Sequence, residues 1–168
     1  DAGGDGVLDF NAAKDDNNDK ALGFNLAYVF DNRLEGLRLG IHGLRQEVAV
    51  YDTTAAVVSR TMMNMFGGYA FYENNGWEGI AEYYRFNNED LSGGTGDHAS
   101  WAGFAQLAYY TNSQWAPYLR TEKTALNQDD QYFSQQVSGR SYTRNALGLR
   151  YDLNPKAAIK LEVNHTSN

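Results

Sequence analysis

The side chains in this sequence that are best suited to chemistry are charged residues that recur at alternate positions of several segments. A period of two is that of a β-strand, so such residues share one face of a sheet. Fixed charges of both signs along a water-filled passage would control which small solutes pass. The same residues could instead form an ion-pair network that fills a closed interior. We predict the passage, with these wall residues: Arg38, His42, Arg60, Glu78, Glu82, Arg120, Glu122, Arg144, Arg150, Lys160 and Glu162.

Signals for catalysis or metal binding are weak. The three histidines, His42, His98 and His165, lie far apart in the sequence, and none has a partner at the spacing of metal ligands. The acidic runs 15–19 and 129–130 lack the spacing of a calcium-binding EF-hand loop and are predicted to be solvated. Serine, histidine and acidic residues are expected by chance in a chain of this length. We therefore predict no enzyme, no metal site and no cofactor.

The stretch 144–163 contains the clearest structural pattern, an amphipathic hairpin. In its first half, large apolar residues such as Leu147 and Leu149 alternate with small or charged residues. Its second half repeats this alternation. Asn154-Pro155-Lys156 lies between the halves, and Asn-Pro favours a turn because proline restricts both its own φ and the preceding residue. The pattern predicts two strands, each with one apolar face and one charged face.

The rest of the chain repeats this organisation and predicts about eight strands. In the strand over roughly 55–72, Met63, Met65, Tyr69 and Phe71 share one face, and Arg60 lies on the other. Short connections are predicted near residues 31, 74, 112 and 154, and Asn-Gly after position 74 is a strong hairpin signal. Long polar connections are predicted near residue 11, over 87–100 and over about 125–141. No helix is predicted.

Composition excludes several classes of protein. The chain has 168 residues and a net charge of −7, which argues against nucleic-acid binding because a phosphate backbone requires a basic surface. The absence of cysteine from the sequence excludes disulfide scaffolds, zinc–thiolate clusters and thiol catalysis. No run approaches the roughly 18 apolar residues that a membrane-spanning helix needs. Residues 1–168 are predicted to form a single β-barrel domain or part of a larger barrel.

The large apolar faces favour contact with lipid over burial in a protein core. About eight such faces would overfill the interior of a small barrel, whereas they fit without strain when they point outward. Aromatic residues also concentrate beside the short turns, where a membrane barrel places its interfacial girdle. A closed barrel is the β arrangement that leaves no backbone group unpaired in lipid. The strands of a soluble sandwich or lipocalin-like barrel also alternate apolar and polar residues, so such a protein remains an alternative.

With its amphipathic hairpins, above all LGLRYDLNPKAAIKLEV, and its alternation of short turns and long loops, the chain resembles the Gram-negative outer-membrane porins. The resemblance implies an all-β, antiparallel up-and-down transmembrane β-barrel in the bacterial outer membrane. It implies a passive diffusion channel for small hydrophilic solutes, surrounded by outer-membrane lipid and lipopolysaccharide, and a homo-oligomer is compatible with it.

The chain departs from the porin pattern at its ends. Porins place both termini on the side of the short turns and usually end in a strand with an aromatic residue, whereas this chain starts beside a long loop and ends at Asn168. We therefore expect a portion of a larger barrel. Two alternatives remain: a complete, non-conducting eight-stranded outer-membrane barrel with a structural or adhesive role, and a soluble lipocalin-like carrier.

Overall fold

The part of the chain that the structure describes folds into one antiparallel sheet whose strands follow one another in sequence order. The computed structural model describes residues 20–54, 56–111, 114–136 and 139–168. Each strand pairs with the next, so the topology is up-and-down from β1 to β8, and the sheet is not closed. The all-β, antiparallel, eight-stranded part of the prediction is confirmed. The strands are β1 (Leu22–Val29), β2 (Leu37–Tyr51), β3 (Val57–Asn74), β4 (Trp77–Asp90), β5 (Asp97–Tyr109), β6 (Trp115–Ala125), β7 (Tyr142–Asn154) and β8 (Ala157–Ser167).

At one end of the sheet the β3–β4 and β7–β8 connections are tight turns, as predicted, and the turn predicted near residue 112 lies outside the described residues. Asn75 and Gly76 join β3 to β4 with φ values of 51° and 81°, the positive region that an Asn-Gly hairpin requires. In the β7–β8 turn, the Asn154 side-chain oxygen accepts a hydrogen bond from the Lys156 backbone N–H at 2.8 Å. The β1–β2 connection includes a 3-10 turn over Asn32–Leu34. We refer to this end of the sheet as the short-turn end.

The opposite end, which we call the long-connection end, carries the connections 52–56, 91–96 and 126–141. The prediction of a loop over 87–100 is wrong in extent, because Asn87 to Glu89 pair in register with Asp97 to Ala99 despite their polar character. The loop is shorter because the Asp90 carboxylate accepts hydrogen bonds from the backbone N–H groups of Ser92, Gly94 and Thr95. The predicted loop near residue 11 and the acidic run 15–19 lie outside the described residues.

A short helix interrupts the longest connection, which corrects the prediction that the chain has none. Helix α1 spans Gln131–Ser134, and the Asp130 side chain caps its first turn by accepting a hydrogen bond from the Tyr132 N–H. An aspartate in this position satisfies a backbone donor that the helix leaves unpaired. The turn is too short to produce a helical period in the sequence.

The sheet has two unlike faces, which the strand register defines because directly paired residues lie on the same face. The face that we call apolar contains Phe24, Leu107, Leu119, Leu147 and Leu161. The other, which we call polar, contains the in-register row Glu82–Phe104–Glu122–Arg144. The described residues form only a small hydrophobic core, in which Val48 and Val50 of β2 pack against Tyr132.

Candidate functional site

The sheet brings most of the predicted wall residues onto the polar face. The register places residues of β2, β4, β6, β7 and β8 there, in rows that run across the sheet. The shared face follows from the alternation of each strand and from antiparallel pairing, so the sequence pattern was sufficient to group them. The residues on this face are Arg38, His42, Glu78, Glu82, Arg120, Glu122, Arg144, Arg150, Lys160 and Glu162.

Arg60 is the exception, and the prediction that it shares a face with the other ten is wrong. It is in register with Ala49, on the apolar face near the long-connection end, and its guanidinium pairs with the buried Glu47 carboxylate. The error lies in β3, where Met63 and Met65 belong to the polar face together with Asn88 and Phe86. In this strand the larger apolar side chains therefore do not mark the apolar face.

Glycines allow large side chains to lie flat on the polar face and to reach across a strand. Tyr118 of β6 covers Gly148 of β7, and its hydroxyl donates a hydrogen bond to Glu162 of β8 at 2.8 Å. Tyr69 of β3 covers Gly40 of β2 in the same way. A Cβ at either glycine would overlap the tyrosine ring, so the close approach requires glycine.

The arginines of the polar face are held between carboxylates and aromatic rings. Glu122 lies 2.7 Å from the Arg120 Nε and 3.8 Å from an Arg144 guanidinium nitrogen, so one carboxylate holds two cations. The Arg120 guanidinium lies 4.6 Å from the centroid of the Phe104 ring, and Arg144 lies 5.3 Å from that of Tyr142. These contacts restrain the guanidinium groups against the sheet and fix the positions of their charges.

Charge on the polar face is divided unevenly between its two halves. Strands β3 and β4 contribute the carboxylates Glu73, Glu78 and Glu82, which are in register with one another or with aromatic and small residues. Strands β6 to β8 contribute all of the cations except Arg38, and the Arg150–Asp152 pair at 2.7 Å neutralises one of them. The face therefore presents an acidic half and a mixed, arginine-rich half.

Part of the longest connection folds onto the polar face. We call residues 126–136 the inserted segment. The Asn88 amide donates to Asp130 at 2.8 Å, and the Asn127 N–H donates to the buried Ser100 hydroxyl at 2.9 Å. Phe133 packs edge-on against Phe86 with their ring centroids 5.2 Å apart. The sequence prediction missed this feature; its only signal was the Tyr132-Phe133 pair inside an otherwise polar loop.

The apolar face is open across the whole sheet. Leu22, Leu161 and Val163 retain between 73% and 74% of their accessible surface, and large apolar residues of the intervening strands are exposed with them. Aromatic pairs lie on this face at the short-turn end, with centroids 4.8 Å apart for Trp77–Tyr109 and 4.4 Å for Trp115–Tyr151.

The apolar residues on this face form a band that crosses the strands obliquely. In β1 the band runs from Leu22 to Tyr28, and in β8 from Ile159 to Val163. On β1, Tyr28 is the residue of the band nearest the short-turn end. The strand-to-strand register aligns Tyr28 with His165 of β8, which lies past the end of the band that is nearest the long-connection end. The centre of the band thus shifts by about seven residues over seven steps between strands, which corresponds to a slant of roughly 35° at about 3.3 Å per residue and 4.8 Å per strand.

Comparison with protein-family models, with curated proteins and with solved structures finds no match for this chain. Within the part of the chain that the structure describes, no group of three or more histidine or acidic side chains is placed to hold a metal ion. No helix among the described residues is long and apolar enough to cross a membrane. The function must therefore be inferred from the two faces of the sheet.

Proposed function

We propose that the sheet is part of the wall of a β-barrel in the bacterial outer membrane, and that the barrel is a passive diffusion channel for small hydrophilic solutes. In this proposal the apolar face contacts lipid and the polar face lines a water-filled lumen. Arg38, Glu82, Arg120, Glu122 and Arg144 are among the residues that line it. Arg60 is excluded from the lumen because it lies on the apolar face.

The observation that carries the proposal is the exposure of the apolar face. Soluble monomers rarely expose a contiguous apolar patch larger than a few hundred Å², and an apolar surface spread over eight strands requires a cover. A bilayer would cover every strand at once. The aromatic pairs at the short-turn end support this, because such rings suit the boundary between hydrocarbon and headgroups.

The slant of the apolar band supports a membrane more specifically than its exposure does. Strands of transmembrane barrels are tilted by about 35–45° from the membrane normal, so a horizontal layer of lipid contacts successive strands at shifted positions. The roughly 35° slant estimated from strand geometry falls at the lower end of this range. A partner protein bound flat on the sheet would impose no such shift.

The two edges of the sheet also require partners in a membrane. Backbone N–H and C=O groups along the free sides of β1 and β8 would be unpaired in hydrocarbon, at a cost of several kcal/mol per group. We infer that these edges are paired when the sheet is in the membrane, either by further strands or by a second copy of the chain.

A second candidate function is a non-conducting outer-membrane barrel with a structural or adhesive role. It is favoured by the inserted segment and by the Arg120–Glu122–Arg144 cluster, which together occupy space on the polar face. We prefer the channel because the polar face also carries small residues that are not buried, such as Ala102 and Ala158, which leave room beside it.

Single-channel recording in a planar bilayer distinguishes these functions. The full-length protein is purified in detergent and added to the bilayer in KCl. A channel gives discrete current steps, whereas a non-conducting barrel inserts without steps. A soluble lipocalin-like carrier would be recovered from cells without detergent. Membrane-inserted protein that gives no steps at any voltage or pH would contradict the channel.

A further inference from the structure

The inserted segment is held against the polar face by polar side chains from β3 and β4. The Gln131 amide donates to the Thr61 hydroxyl at 3.1 Å and to the Asp90 carboxylate at 2.7 Å. Gln135 donates to the Ser59 hydroxyl at 3.2 Å. These contacts join a loop to residues that are about 40 to 75 positions distant in the chain, so they fix one particular docked position.

The same segment also makes apolar contacts with this face. Tyr132 packs against Val48 and Val50 of β2, and Phe133, which is 6% exposed, packs against Phe86 of β4. Undocking would expose these groups and would uncover the polar face at the long-connection end. The docked position is therefore stabilised by apolar contacts as well as by hydrogen bonds.

A buried carboxylate lies at the centre of the docked segment. Asp130 is 1% exposed, and its partner Asn88 is 2% exposed. The Asn88 side-chain oxygen and the Nε2 of His98, the residue in register with Asn88, are buried without a hydrogen-bond partner in the structure. A protonated Asp130 could donate to that oxygen after the Asn88 amide rotates by half a turn, so both protonation states can bond to the same partner.

The surroundings of Asp130 favour its neutral form. Burial raises the pKa of the Asp130 carboxyl, and this effect outweighs the hydrogen bonds from Tyr132 and Asn88 and the nearby His98, all of which lower it. The other charged groups in or near the segment are Asp129, which is exposed, and Asp90 of β4, which Gln131 contacts. Strands β2 and β3 present only uncharged side chains to the segment: Val48, Val50, Ser59 and Thr61.

We propose that residues 126–136 form a latch over the polar face, and that uptake of a proton by Asp130 strengthens its docking. The effect on solute passage rests on the proposed channel function; the docking itself does not. The proton comes from solvent and binds to the Asp130 carboxylate. No other bond is made or broken in this step.

The direction of the pH dependence follows from the docked environment. Docking raises the pKa of Asp130 above its ordinary value of 3.8. The stabilising effect of the proton is therefore complete below that value and is lost as the pH rises through the raised pKa. Each unit of difference in pKa between docked and undocked forms changes the docking equilibrium about tenfold.

Accessibility of a thiol under the latch measures docking directly. Ser59 is 4% exposed beneath Gln135, and the sequence contains no cysteine, so Ser59→Cys introduces one covered probe. The full-length protein in liposomes is labelled with a membrane-impermeant methanethiosulfonate between about pH 4 and pH 8. Asn164→Cys, an exposed position on the polar face far from the latch, gives the reference rate for thiol chemistry at each pH.

We expect the ratio of the two labelling rates to rise with pH, by up to about tenfold for each unit by which docking raises the pKa. Asp130→Asn, combined with Ser59→Cys, should give a low ratio that no longer depends on pH. Asp129→Asn removes the same charge from the exposed neighbouring residue and should keep the original profile. His98→Gln removes a group that lowers the pKa of Asp130, and should move the transition to higher pH.

A ratio independent of pH in the protein with an intact Asp130 would overturn the latch, as would an unchanged transition in both the Asp130→Asn and His98→Gln variants. Bilayer recordings separate this failure from failure of the channel. Current steps without pH-dependent labelling would contradict only the latch. The expected labelling with no current at any pH would contradict the channel and leave the proton-linked docking supported.

Discussion

Individual residues of the polar face have roles that go beyond their charge. Glu122 is the clearest case, because it contacts two arginines that the register places on neighbouring strands. Each of these arginines also lies over an aromatic ring. Rigid charges of this kind affect passing ions more reproducibly than flexible ones, since their positions do not adapt to the ion.

Removing the charge of Glu122 should change ion selectivity. In Glu122→Gln, Arg120 and Arg144 lose their shared carboxylate and would present more positive potential to the proposed lumen. We expect anion permeability relative to cations to rise about two- to threefold, which corresponds to a fraction of a kcal/mol for one charge in water. The reversal potential across a KCl gradient measures this change.

Glu89→Gln is the matched control, because Glu89 lies on the opposite face, in register with Met62 and Asp97. It should leave the reversal potential unchanged. A shift toward cations in Glu122→Gln, or equal shifts in both variants, would contradict the assignment of Glu122 to the lumen.

Gly148 tests the close packing of the polar face. In Gly148→Ala the new methyl group would overlap the Tyr118 ring and displace its hydroxyl from Glu162. We expect a loss of about 1–3 kcal/mol in the free energy of unfolding, the usual cost of overpacking. Urea-induced unfolding in liposomes, followed by tryptophan fluorescence, gives this value.

Gly79→Ala provides the comparison for Gly148→Ala. A Cβ at Gly79 meets its nearest neighbours at 3.8 Å, an ordinary van der Waals contact, and Gly79 lies on the apolar face. Gly79→Ala should therefore leave the free energy of unfolding almost unchanged. Equal destabilisation by the two substitutions would show that glycine is needed for backbone reasons rather than to accommodate Tyr118.

At the scale of elements, the slant of the apolar band would give each strand of the proposed barrel its own depth in the membrane. Leu26 of β1 and Leu161 of β8 lie near the centre of the band, although they are far out of register with each other. Ser167 is in register with Leu26 but lies past the end of the band on β8. Residues that share a register position can therefore differ in their depth in the proposed membrane, and the two can be tested separately.

Arginine substitutions should follow depth. We expect Leu26→Arg and Leu161→Arg each to cost about 2–4 kcal/mol of stability in a bilayer, and Ser167→Arg about 0–1 kcal/mol. Urea titrations in liposomes of fixed lipid composition measure the difference. Equal costs at Leu26 and Ser167 would indicate that the band runs parallel to the register, and would contradict a tilted sheet in a membrane.

The sequence predicted the strands and their faces well where the large apolar side chains all lie on the apolar face. In β7 and β8, leucine and valine alternate with charged residues, and both the strands and the Asn-Pro-Lys turn are confirmed. In β3, Met63, Met65 and Tyr69 lie on the polar face, and Gly40 of β2 makes room there for the Tyr69 ring. That accommodation depends on neighbouring strands and cannot be seen in β3 alone.

The inserted segment was not predictable for a related reason. Its contacts join Gln131 and Gln135 to β3 residues about 70 positions earlier, and such pairs leave no periodic signal. The charged positions of the polar face were largely predictable, with Arg60 the exception, because they require only alternation and antiparallel pairing.

For the whole molecule, one sheet with two unlike faces must satisfy two different solvents. The described residues form only a small hydrophobic core, and every strand exposes large apolar side chains on the apolar face. A folded chain of this kind is stable only when its apolar face is covered. The proposed arrangement, with lipid on one face and water on the other, would account for the exposure, the slant and the aromatic pairs together.

The most direct test of this account is thiol accessibility along β7 in liposomes. Single cysteines at Leu147 and Leu149 on the apolar face, and at Arg144 and Arg150 on the polar face, are treated with a small membrane-impermeant reagent. We predict that the two polar-face thiols react and the two apolar-face thiols do not, and that all four react after solubilisation in denaturant. Reaction of the cysteines at 147 and 149 at the rate of those at 144 and 150 in intact liposomes would contradict the account.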